Sequence, residues 1–182
     1  AGATIVDPAN ISTRVSMGAP SFQVLLYELK ADLAAYLEMS GRPNGMATLA
    51  DIIAFNEADS DREMPYFGQE RLLAAEAKGP LSDQTYLTAL ATARRLSRAD
   101  GIDRTMDEQE LYAIVGPTGG PAWVTDLVNG DHFGGSSSGY AAVAGYPNIT
   151  VPAGEVHGLP VGLSFFGRAW SEPTLIRIAY SF

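Results

Sequence analysis

Apolar residues recur at three- and four-residue steps in the longest regular stretch of the chain, at Phe22, Leu25, Leu26, Leu29, Leu33, Tyr36 and Leu37. That spacing places them on one wide stripe of a helix, with Glu28, Lys30, Asp32 and Glu38 on the other side. The pattern predicts a helix opening at Pro20-Ser21 and closed by Gly41-Arg42-Pro43-Asn44-Gly45, its stripe packed into a core. Thr48 and Asp51 have capping-box spacing, with aspartate in the place of glutamate, ahead of a short helix carrying Ile52, Ile53 and Phe55. An aromatic turn at residues 65–68 precedes a predicted helix over 69–78. Ser82 is the expected cap of a longer helix carrying Tyr86, Leu87, Leu90, Ala93, Arg94 and Leu96, and a further short helix is expected over 103–110.

The second half changes period. Leu111-Tyr112-Ala113-Ile114-Val115 is a continuous apolar run, which predicts a strand buried on both faces. Residues 2–6 are expected as another short strand. Asn148-Ile149-Thr150-Val151-Pro152 and residues 161–167 read as two strands, returned by turn chemistry at residues 155–160. Ala141-Ala142-Val143-Ala144 predicts a helical turn stopped by Gly145 and Pro147. Ser171-Glu172-Pro173 opens a last helix with Leu175, Ile176 and Ala179 facing inward. Helices first and strand–turn–strand–helix afterwards predict an α/β fold, part of a mixed β-sheet flanked by helices. A single domain over residues 1–182 is expected, without internal repeats.

Charge and composition narrow the partners. A net charge of −9 argues against nucleic acid and against an anionic membrane surface. Without cysteine there is no disulfide framework, thiolate metal site or cysteine nucleophile. No apolar run approaches the ~20 residues of a membrane span, and the start lacks the charged and apolar regions of a secretory signal. A cytoplasmic location is therefore expected. A chain opening on Ala1 and stopping at Ser181-Phe182, inside an expected helix, reads as cut at both ends.

Candidate chemistry concentrates between residues 116 and 167. Gly135-Ser136-Ser137-Ser138-Gly139 matches the G-x-S-x-G pattern of a nucleophile elbow, which needs a buried strand immediately before it. The residues before it, Asn129-Gly130-Asp131-His132-Phe133, are polar and turn-like. Glu155 and His157, the acid and histidine downstream, lie in one short turn, a poor arrangement for a base and its orienter. Ser137 is therefore read as part of a Gly/Ser loop whose backbone N–H groups can hold an anion or a carbonyl oxygen. The two lysines, Lys30 on a polar helix face and Lys78 before Gly79-Pro80, lack the burial that would make either a neutral base. No metal site is expected. His132 and His157 with Asp126 and Asp131 lack zinc-ligand spacing, and Asp59, Asp61 and Glu63 lack the central glycine of a calcium loop. Ligands of open α/β sheets gather beyond strand ends, which makes Thr118 and the loop over 119–133 the substrate side. Trp123 and Phe133 are candidate apolar walls, Asp126 or Asp131 a candidate polar contact, and Ser137 a further substrate-binding candidate.

The run GGSSSGYAAVAGYPNITVPAGEVHGLPVGLSFFGRAWSEPTLIRIAYSF resembles the closing segment of bacterial amidase-signature enzymes. The likeness continues through Ala113-Ile114-Val115-Gly116-Pro117-Thr118 and Thr48-Leu49-Ala50-Asp51-Ile52-Ile53-Ala54-Phe55-Asn56, and so covers nearly the whole chain. It implies hydrolysis of carboxamide C–N bonds through an acyl-enzyme, by a Ser–cis-Ser–Lys triad and without cofactor or metal. The nucleophile segment and the lysine of that triad belong to the N-terminal half of the family fold, and no such segment exists here. The resemblance thus implies a C-terminal half with no catalytic residue of its own, inactive alone. Tyr66 and Phe67 would then lie near the substrate entrance. The implied partners are a small-molecule amide in the full-length enzyme and the missing N-terminal half. Two other readings stay open: a non-catalytic module that binds or self-associates through exposed apolar surface and an open sheet edge, and an independent serine hydrolase using Ser137 with His157 or His132.

Overall fold

A computed structural model describes residues 2–182. The chain forms two compact units, one of Ala19–Ala91 and one of the residues up to Gly18 with Thr92–Phe182. Helix α1, Arg14–Met39, contributes its first turn to the latter and its remainder to the former. It opens before Pro20, which lies inside it, and not at the proline as expected. The first turn is already closed by the Met17 amide donating to the Thr13 carbonyl at 3.0 Å, and a proline beyond it forfeits one further backbone bond.

Within Ala19–Ala91, α1 is followed by α2 (Leu49–Ala58), the single turn α3 (Ser60–Glu63) and α4 (Glu70–Glu76). The core is Leu26, Leu49, Ile53 and Ala75, with Leu33 and Leu72 around it. The Thr48/Asp51 capping box is present in both directions. Asp51 N–H donates to Thr48 Oγ1 at 3.2 Å, and Thr48 N–H donates to Asp51 Oδ2 at 2.8 Å. The α1 stripe is narrower than its sequence predicts. Leu26 and Leu37 are buried and Leu33 half-buried, whereas Phe22, Leu25, Leu29 and Tyr36 are exposed. Tyr27, outside the expected stripe, is buried with its ring 5.5 Å from that of Tyr86, whose hydroxyl donates to Glu28 Oε1 at 2.8 Å. Helix α4 is shorter than residues 69–78. Gln69 stands before it, held by Asn56 Nδ2 at 3.1 Å and donating to the Ile53 carbonyl at 3.2 Å. Tyr66 and Phe67 are exposed.

Helix α5, Gln84–Ser97, starts after Asp83 and so without Ser82 at its cap position. Its last turn passes into a wide π-type turn, Arg98–Asp103, and into α6, Arg104–Glu108. Strand β1 (Ile114–Pro117), helix α7 (Gly139–Ala144), strands β2 (Asn148–Val156) and β3 (Leu159–Phe166) and helix α8 (Glu172–Ser181) complete the chain. The sheet has the order β1-β3-β2 and is antiparallel at both pairings. Ile114 and Asn148 both stand opposite Phe166. His157 and Gly158, at φ 52° and 78°, make the two-residue turn between β2 and β3. Positive φ at both positions suits the right-handed twist of a hairpin. Gly145, at φ 66°, ends α7.

Three expectations are corrected in this unit. Strand β1 is an edge strand pairing with β3 alone; Ile114 is buried while Val115 and Tyr112 are exposed, so it is not covered on both faces. Residues 2–6 form no strand. Ile176 is exposed, because the residue after inward-facing Leu175 is rotated ~100° around the helix. The core here is Ile102, Met106, Ile114, Ala141, Ala144 and Phe166, and it joins the turn after α5, the sheet and α7. The fold is mixed α/β, a small antiparallel sheet with helices.

Candidate functional site

A cleft of about 970 Å³ opens along β1. Its walls are Asn10, Ile11, Arg14 and Met17 from the N-terminal segment, residues 114–117, and the Gly/Ser loop from Phe133 to Gly139. The loop is placed by an antiparallel bridge between Gly119 and Ser136 and by positive φ at Gly135. Ser136 Oγ and Ser138 Oγ bond each other at 2.9 Å, which occupies the outer two hydroxyls of the serine run. The middle one differs. Ser137 Oγ is buried without a hydrogen-bond partner, on the wall of the cleft. Leaving a buried hydroxyl unpaired costs roughly 1–3 kcal/mol, a penalty that a ligand oxygen or amide can cancel. Gly116 makes the arrangement possible, since a Cβ there would stand 3.3 Å from the Ser137 Cβ.

Tyr140, beside the loop, donates its hydroxyl to the Ile11 carbonyl at 3.0 Å. Burial pushes its phenol pKa up, against the hydrogen bond of Thr13 and the charge of Arg14. It therefore remains a protonated donor at neutral pH, tying the N-terminal segment to α7.

The predicted substrate residues divide. Phe133 and Ser137 line the cleft, and Thr118, Trp123 and Asp126 lie outside its lining. Thr118 continues the β1 ladder by donating its N–H to the Gly162 carbonyl at 2.8 Å. Its hydroxyl lies 2.8 Å from Ser164 Oγ and 3.3 Å from Thr150 Oγ1, and the latter two are 3.0 Å apart, so three hydroxyls satisfy one another. Trp123 Nε1 donates to Asp131 Oδ1 at 3.2 Å and the indole meets the Phe133 ring edge-on at 6.0 Å, which orients the wall from behind. Asp126 accepts from the backbone and side chain of Asn129 at 2.8 and 3.0 Å, and from the Val128 amide at 3.0 Å. These bonds, Asn129's first, hold its carboxyl at a pKa of about 2. His132 Nε2 lies 3.6 Å from the same carboxylate. Asp126 is thus a loop-shaping residue. Gly116, Arg14 and Tyr140 were not singled out by sequence; each becomes recognisable only when the N-terminal segment and β1 are seen as opposite walls.

The lysines are committed elsewhere. Lys30 Nζ donates to the Glu76 carbonyl at 2.6 Å and the Lys78 carbonyl at 3.0 Å, and pairs with Glu76 Oε1 at 3.1 Å. Lys78 Nζ donates to Gln23 Oε1 at 3.0 Å and stands over the Tyr27 ring. Among the described residues, neither ammonium group nor either imidazole has a serine hydroxyl as a hydrogen-bond partner. Activation of a serine requires a base within hydrogen-bond reach. What the cleft offers is shape, one unpaired hydroxyl and one guanidinium, suited to binding. Among the described residues no group of three or more His, Asp or Glu could hold a metal ion, and no helix is long and apolar enough to cross a membrane.

No family model matches the chain. Individual relatives do. The chain is 39% identical over 161 residues to a probable amidase of Arabidopsis thaliana, a match covering 87% of the chain and 28% of that relative. It is 30% identical over 191 residues to a glutamyl-tRNA(Gln) amidotransferase polypeptide of an Exiguobacterium species, covering 94% of the chain and 39% of that polypeptide. Among solved structures, a peptide amidase in complex with the competitive inhibitor chymostatin superimposes with a TM-score of 0.87 at 46% identity, over 94% of the chain and 34% of that enzyme. The native peptide amidase from Stenotrophomonas maltophilia gives 0.84 at 44% identity, over the same shares. The chain therefore spans 28 to 39% of the length of these relatives, nearer a third than the half that the resemblance implied.

Proposed function

We propose that this chain, a homologue of the amidase-signature enzymes over about a third of their length, is the C-terminal, substrate-side wall of an amidase. In this reading its cleft receives the amide, Ser137 Oγ–H donates to the substrate carbonyl or amide, and Phe133 supplies the apolar contact. Thr118, Trp123 and Asp126 contribute by fixing the sheet end and the loop that present those two groups. The reaction is hydrolysis of a carboxamide C–N bond. A serine oxygen adds to the carbonyl carbon, the amine leaves with a proton as the acyl ester forms, and water then cleaves that ester. The serine, its cis-serine and its lysine belong to polypeptide outside this chain, so the chain alone turns nothing over.

The observation carrying the reading is the buried, unpartnered Ser137 hydroxyl on the cleft wall, in a chain that aligns with a peptide amidase over nearly its full length. A titration with N-acetyl-phenylalaninamide followed by two-dimensional NMR tests it. Saturable shifts at Gly116, Phe133 and Ser137, weakened several-fold in Ser137→Ala, are expected. Shifts that avoid those residues, or that do not saturate, contradict the reading.

Self-association is a second reading, favoured by the unpaired outer edge of β1 and the exposed Phe22, Leu25, Leu29 and Tyr36. Sedimentation as a concentration-independent monomer would exclude it.

A further inference from the structure

We infer that Arg14 makes this cleft selective for amides that also carry a carboxylate, an inference that rests on the cleft being the amide site. The chain holds 21 acidic residues against 12 basic ones, yet no aspartate or glutamate lines the cleft and Arg14 is its one fixed charge. The guanidinium has no carboxylate within ion-pair distance among the described residues. Arg42, Arg62, Arg95, Arg104 and Arg168, by contrast, each have one. Its backbone is held in place: neighbouring Thr13 is buried and donates its hydroxyl to the Leu96 carbonyl at 2.7 Å. Met17, one turn further along α1, lines the same cleft, as do Ile11 and Phe166. A planar, permanently charged group above apolar walls is suited to a carboxylate held bidentately, while the body of the ligand packs beneath it. The substrate class is therefore an acyl amino acid or short peptide amide bearing an acidic side chain.

The test uses two ligands that share the primary amide and differ in one group: the α-amide of N-acetyl-glutamate, and the α-amide of N-acetyl-glutamine as its neutral isostere. Calorimetric titration of the whole chain is expected to show the acidic ligand bound about tenfold more tightly at low salt, from a charged hydrogen-bonded pair. Added salt should shrink the gap. Arg14→Gln should abolish it while leaving the neutral ligand's affinity unchanged, and Arg14→Lys should keep part of it. Circular dichroism on the variants checks that they fold. Equal affinities in the unmodified chain, or a gap that survives Arg14→Gln, would overturn the assignment of Arg14 while leaving the amide site standing. Binding of neither ligand would remove the amide site itself, and this inference with it.

Discussion

Gly116 on β1 faces Ser137 across so little space that a methyl group at residue 116 would stand 3.3 Å from the serine Cβ. The sheet and the Gly/Ser loop are thereby mated at the point where the unpaired hydroxyl lies. Gly116→Ala should displace Ser137 by a few tenths of an ångström and weaken amide binding several-fold, with little effect on the melting temperature. Gly116→Val should abolish binding. Calorimetry and a thermal melt on the two variants check this; unchanged affinity in Gly116→Val would disconnect the loop from recognition.

Gly162 is the tighter constraint. A Cβ there would approach Thr118 Oγ1 and Thr150 Cγ2 both at 2.8 Å, inside the hydroxyl triangle that Ser164 completes. Gly162→Ala is expected to destabilise the chain by roughly 1–3 kcal/mol, the usual cost of overpacking, read from urea unfolding. Ser164→Ala removes a hydroxyl that both threonines use and should cost about 1 kcal/mol.

Thr48 caps α2, and Thr48→Ala should lower stability by about 1 kcal/mol, measured by the same unfolding curve. Asp51, the other half of the box, has its pKa lowered by hydrogen bonds from Ala47 and from the hydroxyl and amide of Thr48. A folded pKa below the unfolded one means that this contribution is complete above the ordinary carboxylate range and disappears as the pH falls through the folded value. In Asp51→Asn that acid dependence of α2 should be lost.

Asp126 offers the same sign with a definite midpoint. Its carboxylate should order residues 126–129 fully above the ordinary value of 3.8 and release them as the pH falls toward about 2. The Val128 and Asn129 amide resonances should titrate together near that lower value. A common midpoint at 3.8 would remove Asp126 as the organiser of the loop.

What the sequence made legible was local chemistry. The capping box, the glycine that ends α7 and the β2–β3 return depend on a few adjacent residues, and each is where the sequence predicts it. The strands run longer than their composition suggests because the turn contracts to His157-Gly158, and His157 tolerates a positive φ that is usually glycine's. Sequence and structure part where a feature is set by distant neighbours. Leu111 to Val115 is apolar enough for a buried strand, but pairing on one side only leaves Val115 in the open. Leu25 and Leu29 have helical spacing yet are exposed, since periodicity defines a face and says nothing about what covers it. In the site, the glycine and serine run is visible at once. That its middle hydroxyl is the unsatisfied one depends on Gly116 and Ser136, and no periodicity brings those together.

In the proposed function this chain presents an amide-binding wall and supplies no nucleophile. The most direct test is intact-mass spectrometry of the folded chain after incubation with a fluorophosphonate, on a sample that binds N-acetyl-phenylalaninamide. The predicted result is an unmodified mass. A stoichiometric adduct on Ser137, absent from Ser137→Ala, would contradict it.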